Sequence, residues 1–164
     1  MKIALMSKEF INNDIDFNCE QIISSIKMLA GKADLICFGE AFLQGFDSLS
    51  WKYKIDANIA LAIDSKPIKR IRKIANEHKI AVAFGYLEKD IDKIYCSYIF
   101  IGNDGEIVNN YRRVSKGWKE YSITDEHYCE GKMLNGFNYL DKKFVVALCG
   151  DLWYEENILA INNI

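Results

Sequence analysis

Ala33-Asp34-Leu35-Ile36-Cys37-Phe38-Gly39-Glu40 is the stretch on which the fold turns. Leu35–Phe38 is a continuous apolar run, too short for a helix and without polar alternation, as expected of a strand buried on both faces. Upstream, Asn13–Asp16 supplies helix-start residues, and Cys19, Ile22, Ile23, Ile26 and Leu29 recur at spacings of three and four up to Gly31. That is one buried helix face with a glycine where a helix stops. Lys2–Met6 is another short apolar run, so the opening reads strand, helix, strand. Downstream, Pro67 opens a second helix through Ile68, Ile71, Ile74 and Ala75, in the first turn where proline is tolerated. Ile80–Tyr86 and Tyr95–Ile101 read as strands. Asn103-Asp104-Gly105 forms a turn into Glu106–Tyr111, and Asn138–Lys143 contains a further turn before an apolar strand at Phe144–Leu148. Strands alternating with helices, followed by a hairpin, predict a layered α/β domain.

The 164 residues fit one domain, and half of them are hydrophobic. With 21 basic against 23 acidic side chains the formal charge is −2, which provides no electrostatic footprint for nucleic acid. The dense basic run Lys66–Lys73 has helical spacing and reads as a solvated helix face. No apolar stretch approaches the roughly 20 residues needed to span a bilayer, so no membrane role is expected. Met1–Met6 loses its apolar character too early for a secretory signal. Five cysteines without a C-x-x-C pair argue against a disulfide framework or zinc ribbon and point to a reducing, cytoplasmic setting. His78 and His127 have no ligand-like spacing, and neither metal nor cofactor is expected.

In α/β proteins, reactive groups collect beyond the carboxyl ends of strands. Glu40 follows Leu35–Phe38, and Cys149 follows Phe144–Leu148. A thiol becomes nucleophilic as thiolate, and a carboxylate in a partly apolar pocket can serve as its base. The pair is therefore a candidate nucleophile and base. The plainer alternative is a surface glutamate and a buried cysteine. Cys37 and Cys96, inside apolar strands, and Cys19, on the apolar helix face, read as core residues.

Several ordered landmarks resemble the nitrilase, or carbon–nitrogen hydrolase, superfamily. These are Ile3-Ala4-Leu5, Asn18, Ala33–Glu40 with Gly45-Phe46, Gly85-Tyr86-Leu87-Glu88, Ile94-Tyr95-Cys96-Ser97, Gly105-Glu106-Ile107-Val108 leading to Tyr111-Arg112-Arg113, and Cys149-Gly150-Asp151-Leu152-Trp153-Tyr154-Glu155-Glu156. The resemblance implies a four-layer α-β-β-α sandwich, incomplete at the C-terminus, with residues 1–164 forming the N-terminal portion of one hydrolase domain through the nucleophile elbow. It also implies Glu40 as general base and Cys149 as nucleophile. Arg113 falls where the family has its catalytic lysine. Either Arg113 stabilises the oxyanion, or Lys116 or Lys119 has taken over, or the chemistry is lost. Glu120 and Glu126 are candidates for the family's second acid. Glu155 stands where the family has a proline.

The implied reaction is hydrolysis of a small-molecule amide or N-carbamoyl compound, less readily a nitrile, through a cysteine thioester. The alternative is an inactive remnant that binds a partner or dimerises. A homo-oligomer is expected either way, because an unfinished sandwich leaves apolar surface and strand edges to be covered.

Overall fold

The computed structural model describes residues 1–164. Five strands form one sheet in the order β1 (Ile3–Leu5), β2 (Leu35–Cys37), β3 (Ala81–Asp90), β4 (Lys93–Ile101) and β5 (Ile107–Arg112). The first three are parallel, joined by helical crossovers through α1 (Ile15–Leu29) and α3 (Lys66–His78); β4 and β5 run antiparallel. A single turn, α2 (Tyr53–Asp56), lies in the long β2–α3 connection. The hairpin β6 (Gly136–Tyr139) and β7 (Lys142–Val145) stands apart from the main sheet, and α4 (Glu155–Asn162) follows the 3₁₀ turn Cys149–Trp153.

Strand alternation assigns the two faces of the sheet. Val82, Phe84 and Tyr86 of β3, with Ile99 and Ile101 of β4, meet Cys19, Ile22, Ile23 and Ile26 of α1 and Ile68, Ile71 and Ala75 of α3. Residues of opposite parity, Ala81, Ala83 and Phe100, face Phe137, Tyr139 and Phe144 of the hairpin. The layers therefore run helix, sheet, sheet, as the sandwich reading requires. Asp14 caps α1 by accepting from the Phe17 N–H at 2.9 Å, and Pro67 lies in the first turn of α3. Lys69, Arg70 and Lys73 are exposed and ion-paired with Asp64, Glu20 and Glu77, so the basic run is a solvated helix face. No helix is long and apolar enough to cross a membrane.

Two boundaries differ from the sequence reading. The third and fourth strands extend to Asp90 and back to Lys93 as one hairpin, because cross-strand pairing carries both beyond their apolar segments. Its turn, with Ile91 at φ 57°, lacks the Asn-Gly or Asp-Gly signal that would have marked it. In the last strand, ladder pairing covers Lys142–Val145, opposite β6, and Val146–Leu148 continues unpaired toward Cys149.

The turn carrying Glu40 crosses the sheet over Gly85. A Cβ at Gly85 would stand 2.4 Å from the Ala41 nitrogen and 2.7 Å from the Glu40 Cα, so only glycine lets the turn come this close. Two buried amides pin the same loop. Asn18 Nδ2 donates to the Leu43 carbonyl at 3.1 Å, and Gln44 accepts from the Leu87 N–H while donating to the Leu87 and Ile59 carbonyls at 3.0–3.1 Å.

Candidate active site

Glu40, Arg113 and Cys149 all line one cavity of about 420 Å³, at the end of the sheet where β2 gives way to the Glu40 turn. Its apolar walls include Phe46, Leu49, Leu87 and all three tryptophans of the chain, Trp51, Trp118 and Trp153. Buried Asp56 holds the Trp51 wall, accepting from the Ser50 and Trp51 N–H groups at 2.9 Å and from the Ser50 and Tyr128 hydroxyls at 2.6 Å.

Arg113 follows β5 directly. Its N–H donates to the Cys96 carbonyl at 2.8 Å, which extends the β4–β5 ladder by one rung. Strand parity then sends consecutive arginines to opposite faces. Arg112 leaves the cavity to bind Glu88 at 2.7–3.0 Å and Asp90 at 2.7 Å. Arg113 turns inward, where Nη1 donates to Glu40 Oε1 at 2.7 Å and Nε donates to Ser115 Oγ at 2.8 Å. Burial pulls the Arg113 pKa down, but the hydrogen bond and charge of Glu40 outweigh it and leave the value above its usual range. The side chain is a fixed cation with no proton to give.

Cys149 is exposed at the start of the 3₁₀ turn and adopts φ +42°, a left-handed conformation that strains a residue with a Cβ. A Cβ on the next residue, Gly150, would lie 2.5 Å from Arg113 Nη2, so the guanidinium sits directly over the backbone adjoining the thiol. Fully buried Asp151 fixes the turn. Its carboxylate accepts from the Leu148 N–H at 2.7 Å, the Ser115 N–H at 2.8 Å and the Tyr111 hydroxyl at 2.6 Å. The Cys149 turn is thereby tied to the segment that carries Arg113.

Of the alternatives to Arg113, neither lysine reaches the cavity. Lys116 is exposed. Lys119 is turned away to the Tyr128 carbonyl and to Glu130 at 3.2 Å. Glu120 is exposed and bonded to Ser122, and Glu126 is exposed on the same excursion, so neither candidate second acid lines the cavity. The polar excursion between β5 and β6 lets Lys116, Glu120 and Glu126 reach water, which solvates their charges better than an aromatic pocket, while the largely buried Lys119 is held by its own acceptors.

Cys96 is the core residue its strand suggests, packed with Leu87, Ile94 and Tyr111, and it also borders the cavity. The residue is buried, and its Sγ lies 3.2 Å from Glu40 Oε1. Burial chiefly, and then the charge of Glu40, push its thiol well above the usual range. Cys19 and Cys37 remain core positions, with thiols also raised by burial. No group of three or more His, Cys, Asp or Glu side chains is gathered as metal ligands would be.

A cysteine on a strained turn, a carboxylate and a fixed cation thus meet at one end of the sheet. The model of the carbon-nitrogen hydrolase family matches residues 3–163, and the chain belongs to that family. Among curated relatives, an aliphatic nitrilase of Rhodococcus rhodochrous is 28% identical over 163 residues, covering 93% of this chain and 41% of the relative. An arylacetonitrilase of Aspergillus kawachii is 26% identical over 136 residues, covering 78% of this chain and 42% of the relative. The chain thus spans less than half the length of either relative. Among solved structures, an amidase from Nesterenkonia sp. superposes with a TM-score of 0.75 at 19% identity, covering 98% of this chain and 59% of that one. This likeness shows the shared fold.

Proposed function

We propose that the site hydrolyses a non-peptide carbon–nitrogen bond, in an amide or N-carbamoyl compound, through a thioester on Cys149. The observation that carries this reading is the convergence on one cavity of a strained, exposed thiol, a carboxylate and a cation. Cys149 Sγ attacks the carbonyl carbon while Glu40 takes the thiol proton. The carbonyl oxygen becomes an oxyanion beside Arg113 and the backbone N–H that follows Cys149. As the carbon–nitrogen bond breaks, Glu40 returns the proton to the departing amine. Water then attacks the thioester, Glu40 receives its proton, and the thiolate leaves and is reprotonated.

Arg113 favours a carbonyl over a nitrile in this scheme. An oxyanion needs only a nearby positive charge, whereas a nitrile nitrogen needs a proton as it is attacked, and Arg113 cannot supply one. The aromatic walls suit an apolar acyl group. A small amide or N-carbamoyl substrate with such a group, and no cofactor, is the expected partner.

A second reading, a non-catalytic binding or dimerisation module, is favoured by the 2.7 Å ion pair itself, which occupies one oxygen of the base. Homo-oligomer formation, compatible with either reading, is supported by the open edge of β1, where Leu5 is 82% exposed and Ile3 50%.

Mass spectrometry of the intact chain with a panel of apolar amides and N-carbamoyl compounds separates the two readings. An adduct of acyl mass on Cys149 is expected. Glu40→Gln should lower the rate of its formation by at least about a hundredfold, the usual scale of general-base catalysis, and should also lower the unfolding midpoint, because buried Arg113 loses its counter-charge. No adduct with any member of the panel would favour the non-catalytic module.

A further inference from the structure

Cys96 is a buried thiol at the cavity to which the hydrolytic scheme gives no part. It lies in the middle of β4, opposite Leu87 of β3, and is only 4% exposed. Two of its atoms touch the two members of the ion pair. Sγ is 3.2 Å from Glu40 Oε1, and the backbone carbonyl accepts the Arg113 N–H at 2.8 Å. Glu40 reaches the cavity from a turn rather than from a strand, so its side chain depends on such contacts for its direction.

The raised pKa of the thiol keeps it as S–H at neutral pH, and a carboxylate oxygen can only accept from it. Both side-chain bonds to Glu40, from Arg113 Nη1 and from Cys96 Sγ, fall on Oε1. Oε2 is left for the proton of the nucleophile. With Oε1 fixed from two sides, the carboxylate cannot rotate to form a two-pronged pair with Arg113, which would occupy both oxygens.

We propose that Cys96 is a positioning residue for the carbon–nitrogen hydrolysis: its S–H fixes Oε1 of Glu40, its carbonyl fixes the backbone of Arg113, and together they leave Oε2 of Glu40 free to act on Cys149. The inference rests on the hydrolase reading. A side chain that merely filled space would be replaceable by any group of similar volume, whereas this one must keep a donor.

The test compares Cys96→Ser, which keeps a donor, with Cys96→Val, which fills the space without one, on the full chain and the amide panel. Cys96→Val is expected to lower kcat about tenfold with KM within about twofold, the scale of one lost hydrogen bond to a charged group. Cys96→Ser should stay within about threefold of the parent in kcat. Equal kcat in parent and Cys96→Val overturns the proposal while leaving the hydrolase reading intact; a parent chain without turnover overturns both. Infrared spectroscopy reads the bond directly, on variants whose circular dichroism matches the parent. The S–H stretch lost in Cys96→Ser should lie at the lowered frequency of a hydrogen-bonded thiol in the parent and rise in Glu40→Gln. A band at the free-thiol position, unmoved by Glu40→Gln, overturns the proposal whatever the kinetics show.

Discussion

Cys149→Ala is expected to abolish turnover, with kcat falling by several orders of magnitude and the acyl adduct disappearing from the mass spectrum. The size of the effect follows from what is removed. Losing a hydrogen bond weakens one stabilising contact, whereas losing Sγ removes the atom that the proposed mechanism joins to the substrate carbon, and with it the covalent route. Alanine keeps the Cβ and should preserve the turn, so unfolding by urea should match the parent within about 0.5 kcal/mol, the usual range for substitutions away from packed features. The measurement is single-turnover product formation with the best amide of the panel. Residual turnover within tenfold of the parent would mean that the hydrolysing group lies elsewhere.

The largest effect on stability should come from Asp151→Ala. The carboxylate is wholly buried, and its removal leaves the Leu148 N–H, the Ser115 N–H and the Tyr111 hydroxyl without their acceptor. Each buried donor left without its acceptor costs about 1–3 kcal/mol, so the three together remove a large share of the stability of an ordinary domain. Urea unfolding monitored by tryptophan fluorescence should show a midpoint far below that of the parent. On the proposed mechanism, activity should fall further than the folded fraction explains, because the same carboxylate joins the Cys149 turn to the arginine segment. A change under 1 kcal/mol would show that water replaces the carboxylate without penalty. Asp151→Asn, which keeps one acceptor but not the charge, should fall between.

Much of this arrangement was legible in the sequence, and the limits have physical causes. The crossovers could be read because α1 and α3 each bury one stripe and the central strands bury both faces, so periodicity records them directly. Glu40 and Cys149 stood out because each follows a continuous apolar run. Arg113 became a candidate only through the family resemblance, because three cations lie within seven residues and strand parity alone decides which turns inward. Cys96 was legible only as a core residue, because a small thiol in an apolar strand looks the same whether its neighbour is a leucine or a carboxylate. That neighbour arrives from a turn 56 positions away, across a glycine that admits it. Glu120 and Glu126 show the opposite failure: acidic residues in a suggestive stretch that the backbone delivers to solvent.

The left-handed backbone at Cys149 has a consequence for the evolutionary fate of the site. Glycine adopts that conformation freely, while any residue with a Cβ holds it at a cost of order 1 kcal/mol or more. Under selection for folding alone, position 149 should drift toward glycine, gaining stability as it loses its sulfur. The cysteine is therefore something the fold tolerates rather than prefers, and only the demand for a thiol opposes its loss. Glycine at the corresponding place in a related chain would mark a lineage in which that demand had lapsed.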